Sequence, residues 1–243
     1  MCIFVPLTNG KIYLVPTPIG NLEDITLRAL NILSNVKMIF AEDTRITIKL
    51  LNHYKIDKPL KSLHAHNEHK MIKDILEKVQ MGATIAYCSD AGTPGISDPG
   101  YLMVREAIKS RIPVETLPGA TAFVPALVNS GIPCDRFVFE GFLPAKKGRK
   151  KRLKQMAEEE RTTIFYESPH RLIKTLEELH QLVGPDRQIC IAKELTKMHE
   201  TFFRGKLGAL LQDLSKKSIK GEFVVVLQSN GTKFIQDTFS KGS

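Results

Sequence analysis

The chain has 243 residues, enough for one large domain or two small ones. Its 42% hydrophobic and 25% charged residues are ordinary for a globular protein, and no run reaches the ~18 consecutive apolar residues of a membrane span. The net charge of +9 favours polyanionic partners, and the four scattered cysteines (Cys2, Cys88, Cys134, Cys190) argue against a zinc site or disulfide framework and fit a reducing cytoplasm.

Met1 to Asn9 is apolar but short, with no basic region and no cleavage site, so it is not read as a signal peptide. Ile12 to Val15 reads as a buried strand ending in a Pro- and Gly-rich loop. Asp24 or Thr26 is the expected cap of a helix that buries Leu27, Leu30 and Leu33. A second apolar run, Val36 to Ala41, leads to Glu42 and Asp43; Ile46 to Tyr54 is helical and Leu60 to His64 is a short strand. His64, His66 and His69 are taken as a polar loop and helix start, with no metal. Asn67 is expected to cap a helix with Met71, Ile72, Ile75, Leu76 and Val79 on one face. Ala83 to Cys88 is a strand, Tyr101 to Ser110 a helix, and Val114 to Leu117 a strand.

Strands separated by helices of this length predict βαβ units and a mostly parallel sheet, whose ligands gather at the carboxyl ends of the strands. A further helix starts at Pro118 to Ala122 and ends near Gly131. The second half begins afresh with the strand Phe137 to Phe142. A basic run follows, with Lys146, Lys147, Arg149, Lys150, Lys151, Arg152 and Lys154 within nine positions. Leu153 and Met156 are placed to anchor its helix. Strands at Thr162 to Tyr166, Gln188 to Ala192 and Phe223 to Leu227, with helices at Arg171 to Val183 and Leu207 to Leu214, make this half α/β too. Its strand order is not legible. The expected organisation is an N-terminal α/β lobe (1–118), a connecting helix and linker (119–134), a C-terminal α/β lobe (135–230) and a flexible tail (231–243).

No G-x-G-x-x-G follows the first strand, and neither a Walker A sequence nor a G-x-S-x-G elbow is present. In their place, a buried strand runs into Ser89-Asp90-Ala91-Gly92-Thr93-Pro94-Gly95-Ile96-Ser97-Asp98-Pro99-Gly100. Glycine lets backbone groups approach a ligand, and proline lowers the ordering cost of binding. Taken alone, the run reads equally well as a tight structural turn.

Three segments occur together and in order: Val15-Pro16-Thr17-Pro18-Ile19-Gly20-Asn21-Leu22, Ser89 to Pro94, and Leu117-Pro118-Gly119-Ala120-Thr121-Ala122. This pattern resembles the tetrapyrrole methylase superfamily, the class III methyltransferases. Phe40 to Arg45, Phe165 to Arg171 and Ala192 to Lys197 resemble its ribosomal-RNA-methylating branch, and the match runs from about Lys11 to Gln228. The resemblance implies two α/β lobes with S-adenosylmethionine in the cleft between them, and a homodimer. It implies 2′-O-methylation of a cytidine in the decoding region of 16S rRNA, with the small ribosomal subunit as partner, no membrane and a cytoplasmic location. Cofactor contacts carried over are Pro18, Ser89, Asp90, Thr93, Thr121, Ala122, Glu167 and Leu195. Ser89-Asp90-Ala91 stands where tetrapyrrole enzymes have Gly-Asp-Pro, which fits an RNA substrate.

A ribose hydroxyl is a weak nucleophile, so a base or hydrogen-bond acceptor beside it helps. Glu42 or Asp43 is the candidate base or substrate orienter, with Arg45 holding a phosphate; the alternative is a surface turn in which Asp43 or Thr44 caps the next helix. Glu194 and Lys193 compete for the same role. Lys146, Lys147, Arg149, Lys150, Lys151 and Arg152 are the candidate RNA contacts, against a plain solvated helix face. Phe142, Tyr166 and Phe203 are possible stacking platforms, with core packing as the usual role. The rival functions are a precorrin-like small-molecule methyltransferase and a non-enzymatic rRNA-binding assembly factor.

Overall fold

The structure, a computed structural model, describes residues 10–231. The Met1 to Asn9 reading, Cys2 and positions 232–243 of the expected tail lie outside the described residues. The chain divides after Thr121 into two units.

In the first unit, β1 (Lys11–Leu14), α1 (Leu27–Asn35), β2 (Met38–Ala41), α2 (Thr44–His53), β3 (Leu60–Ser62), α3 (Glu68–Gln80), β4 (Thr84–Cys88), α4 (Tyr101–Lys109) and β5 (Val114–Thr116) alternate strictly. The sheet order is β3-β2-β4-β1-β5, and every pair is parallel. Side chains alternate across a strand, so a sheet buried on both faces needs apolar residues at successive positions. Ile12, Leu14, Phe40, Ile85 and Tyr87 meet Ile72, Ile75 and Val79 of α3 and Met103 and Ala107 of α4. Val15, Ile39, Ala86 and Cys88 meet Ala29 and Leu33 of α1 and Leu50 and Leu51 of α2. Each fully buried aliphatic side chain contributes roughly 1.5–3 kcal/mol.

Local details decide between two expected caps and correct the expectations in two places. Thr26, not Asp24, caps α1, its hydroxyl accepting from Ala29 N at 3.0 Å, while Asp24 closes a short 3-10 turn. Leu27 is 86% exposed, because the helix turns Ala29 and Leu33 inward. Asn67 occupies the cap position of α3 without a capping bond; its side chain turns back to accept from His64 N and donate to Ser62 O.

The second unit holds α5 (Phe123–Val128), β6 (Phe137–Phe142), α6 (Arg149–Glu158), β7 (Thr162–Glu167), α7 (Leu172–Val183), β8 (Gln188–Lys193), β9 (Thr201–Lys206), α8 (Leu207–Leu214) and β10 (Phe223–Leu227). Its order is β6-β7-β10-β8-β9, parallel only between β6 and β7. Phe165, Ile189, Ile191, Phe223 and Val225 pack with Leu153 and Met156 of α6, Leu172, Leu176 and Leu179 of α7, and Leu207 and Leu214 of α8. α5 packs against β10 and β7. Strand β9 has no counterpart in the sequence reading: it is an edge strand whose Thr201, Arg204 and Lys206 face solvent.

The basic helix α6 is fixed by a cation. Arg149 is buried, and its guanidinium donates to Glu178 at 2.8 Å, Thr175 Oγ1 at 2.7 Å and Pro144 O at 3.3 Å. Arg149 therefore leaves the set of expected RNA contacts: a guanidinium committed to three internal acceptors under the surface has no free face for a phosphate. Lys146, Lys147, Lys150, Lys151 and Arg152 are exposed, with Arg152 pairing to Glu140 at 3.3 Å.

Candidate functional site

The first unit ends its strands level. Leu14 is in register with Tyr87 and Thr116, and Ala41 with Cys88. Backbone bonds then run one residue further: Val15 N to Tyr87 O, Glu42 N to Cys88 O, Leu117 N to Leu14 O. Glu42 is thereby held beside the loop that leaves β4. Thr17 and Gly92 exchange two backbone hydrogen bonds of 2.9 Å, so the loops after β1 and β4 are joined side by side. The Thr17 hydroxyl donates to Ser89 O, and the Thr93 hydroxyl donates to Ala120 O in the loop after β5. Two glycines are sterically required here. A Cβ on Gly119 would stand 2.5 Å from Pro16 Cβ. Gly100 has φ +129°, and a Cβ there would come within 3.1 Å of the Tyr87 ring.

Carboxylates converge on this edge. Asp90 Oδ1 accepts from Asp43 N at 2.9 Å, and Asp90 N donates to Glu42 Oε2 at 3.4 Å. Burial, with repulsion from Asp90 and Asp43, pushes the Glu42 carboxyl up despite the Asp90 amide and His64. Burial, then repulsion from Glu42 and Asp90, lifts Asp98 from 3.8 to about 7. Tyr87 is fully buried, its hydroxyl has no hydrogen-bond partner among the described residues, and burial followed by the field of Glu42 and Asp98 makes it harder to ionise.

Asp43 behaves differently. Its carboxylate caps α2 through Arg45 N and takes a two-pronged bond from the Arg45 guanidinium at 2.6–3.1 Å. Those bonds pull it down to about 2. So weak a base, with both oxygens engaged, is a poor proton acceptor near neutrality, which corrects its expected catalytic role. Glu42 remains.

The structure brings Pro18, Ser89, Asp90, Thr93 and Thr121 to the loops at this edge, with Glu42 and Asp43 beside them. Ser89 is buried and turns its hydroxyl back to Ala91 O and Gly92 O, so it shapes the loop. In the second unit, Ala122 opens α5 and Leu195 is buried after β8. Glu167 is not free for a cofactor: its oxygens accept from Ser168 N, Arg171 and Thr175 Oγ1 at 2.7–2.8 Å. Its expected cofactor contact is therefore corrected to an internal clamp. Glu194 accepts from Glu222 N and Lys197 through Oε1, bonds that hold its carboxyl below the usual range and make it a weaker base than Glu42. Phe203 packs on the core of its unit, whereas Phe142 is exposed and meets Tyr166 edge-on. The sequence reading missed Tyr87 and Asp98. The available signal was the one Asp-Pro of the loop, Asp98-Pro99, ending a stretch already marked by its glycines.

Comparisons with known proteins agree with this geometry. The family of tetrapyrrole (corrin/porphyrin) methylases matches residues 11–211. A ribosomal RNA small subunit methyltransferase I from Synechocystis sp. is 50% identical over 219 residues, covering 90% of this chain and 78% of the relative. That of Thermotoga maritima is 49% identical over 218 residues, covering 90% and 98%. The crystal structure of uroporphyrin-III C-methyl transferase from Thermus thermophilus, complexed with S-adenyl homocysteine, superposes with a TM-score of 0.63 over 90% of this chain and 97% of that one, at 18% identity, and shows the shared fold. The matched span and the half-identical relatives together place the chain in the tetrapyrrole methylase family, to which it belongs.

Proposed function

We propose that this chain transfers the methyl group of S-adenosylmethionine to the 2′-hydroxyl of a cytidine ribose in the decoding region of 16S rRNA. The observation that carries the reading is the glycine-rich loop after β4, tied to the loop after β1 and set against Glu42 and Asp90. The half-identical relatives named as small-subunit rRNA methyltransferases support the RNA substrate over a tetrapyrrole. So do the exposed lysines of α6, which would follow a phosphate backbone.

The residues present suit a cationic cofactor. A sulfonium ion is stabilised by nearby carboxylates, and Glu42, Asp90 and Asp98 supply them. When bound, the cofactor supplies an activated methyl carbon. Pro18, Asp90, Thr93 and Thr121 would hold it, with Ser89 shaping their loop; Ala122 and Leu195 stay candidates by resemblance. Glu42 accepts a hydrogen bond from the ribose hydroxyl and orients its oxygen, the alignment that in-line transfer needs. Arg45, 87% exposed at its side chain, keeps Asp43 through Nε and Nη2 and offers its Nη1 edge to an RNA phosphate.

No helix among the described residues is long and apolar enough to cross a membrane. A cytoplasmic location follows from a ribosomal substrate. A homodimer follows from the family resemblance, and exposed Val124, Val128 and Phe137 of the second unit offer it apolar surface. The test is transfer of labelled methyl from S-adenosylmethionine to small ribosomal subunits lacking the modification, with the product nucleoside mapped by mass. Label in uroporphyrinogen and none in RNA would replace this reading with the small-molecule one.

A further inference from the structure

We propose that Phe142 is a stacking platform for an unpaired RNA base, presented by a bulge in β6 and followed by the lysines that meet the neighbouring phosphates. The inference rests on the function proposed above and names the element that grips a nucleotide of its substrate. Phe139 and Phe142 are three positions apart, so in a regular strand they would point to opposite faces. The register with β7 shifts between them: Phe139 lies opposite Ile164 and Phe142 opposite Tyr166. β6 thus takes three steps where β7 takes two, and Gly141, between the two rings, adopts the left-handed region at φ +61°. The bulge brings both phenylalanines to one face, where they meet the Tyr166 ring edge-on at 5.0 and 5.4 Å. Phe123 of α5 stacks on Phe139 at 4.6 Å. The four rings therefore form a row of successive contacts, and Phe142 closes it at the end of the strand with 57% exposure.

The chain just after Phe142 is pinned. Leu143 O accepts from Arg171 at 2.9 Å and Pro144 O from Arg149 at 3.3 Å, and both guanidiniums pair with the buried Glu167. Glu140, one step before the glycine, pairs with Arg152 at 3.3 Å and ties the basic helix α6 to β6. A ring held in this way gives up little freedom on binding. Exposed Lys146, Lys147, Lys150 and Lys151 follow within nine positions of it. An apolar protein surface would bring no charge to answer those lysines. An RNA strand carries a phosphate on every nucleotide, beside a base with a flat π-face that suits the ring. A base inside a duplex has both faces covered, so the occupant is a nucleotide that has left its stack.

The test uses a short unstructured oligoribonucleotide with one base replaced by 2-aminopurine, whose emission falls when it stacks. The wild-type chain should quench it. Phe142→Leu stays apolar but loses the flat ring. It should leave the emission high and bind about 5- to 150-fold more weakly, with an unchanged salt slope because a ring neutralises no phosphate. Phe142→Tyr keeps the ring and should restore both quenching and affinity. In methyl transfer to small ribosomal subunits, Phe142→Leu should raise the KM for subunits by a similar factor and leave the KM for S-adenosylmethionine within about threefold of wild type. Wild-type binding and quenching by Phe142→Leu overturns the proposal. So does a loss of RNA binding that accompanies dissociation of a dimer in sedimentation, since the row of rings then belongs to a contact between two copies. A wild-type chain that quenches the probe but leaves subunits unmethylated fails the proposed function instead and leaves the platform standing.

Discussion

Replacing Arg149 by methionine keeps most of the side-chain volume and removes a cation from the interior of the second unit. Three hydrogen bonds of 2.7–3.3 Å disappear, along with the pairing to Glu167 at 3.8 Å. Breaking a buried pair by deleting one partner costs about 3–5 kcal/mol. The lower end applies here. Glu178 is partly exposed and can be hydrated, and Glu167 keeps Arg171, Ser168 N and Thr175. A loss of about 3 kcal/mol lowers the melting temperature by roughly 6–12 °C at ~2–4 °C per kcal/mol. Scanning calorimetry on the whole chain measures it. The paired variant Lys150→Glu/Lys151→Glu should melt within about 2 °C of wild type, yet weaken RNA binding and reduce its salt slope by roughly 0.7–0.9 for each phosphate it no longer neutralises. Should Arg149→Met melt like wild type and flatten the salt slope as the lysine variant does, the burial argument is refuted and Arg149 returns to the RNA surface.

Three further outcomes are expected. Asp98→Asn should be more stable than wild type, by a margin that grows from about pH 4 to about pH 7 and then holds. The folded carboxyl is raised from 3.8 to about 7, so keeping it ionised costs folding energy that accumulates across that window; a margin independent of pH, read from urea midpoints, would contradict this. Gly119→Ala must displace Pro16 and should cost about 1–3 kcal/mol by urea denaturation, together with weaker S-adenosylmethionine binding by calorimetry; wild-type values for both would show that the loop yields freely. Thr26→Ala loses the bond to Ala29 N and should cost about 1 kcal/mol with methyl transfer unchanged.

Much of the first unit is legible because a doubly covered parallel sheet writes itself as apolar runs such as Ile12 to Val15 and Ala83 to Cys88, punctuated by glycine and proline. The face of α3 reads directly from Ile72, Ile75 and Val79. Helix phase was harder: Leu27 looks like core, but one step of 100° places it in solvent while Ala29 goes inside. Edge strand β9 escaped notice because Thr201, Arg204 and Lys206 interrupt its apolar signal. Charge was the least legible quantity. Arg149 sits among six other basic residues, and only the fold brings Glu178 and Thr175, more than twenty positions away, against it. Likewise Asp43 and Glu42 are adjacent carboxylates in the sequence. Their difference comes from Arg45 on one side and the buried strand ends on the other.

The paired bonds between Thr17 and Gly92 act as one more rung laid across the sheet, outside its regular strands. A rung fixes count as well as position. An insertion between Cys88 and Gly92 would slip the rung by a residue and turn the neighbouring side chains over, whereas positions 95–99, past the Thr93 tie to Ala120, can change length without disturbing the ladder. Diversification of such a scaffold toward new acceptors is therefore channelled into the far end of that loop, where Asp98 sits, while the near end stays locked to the strands.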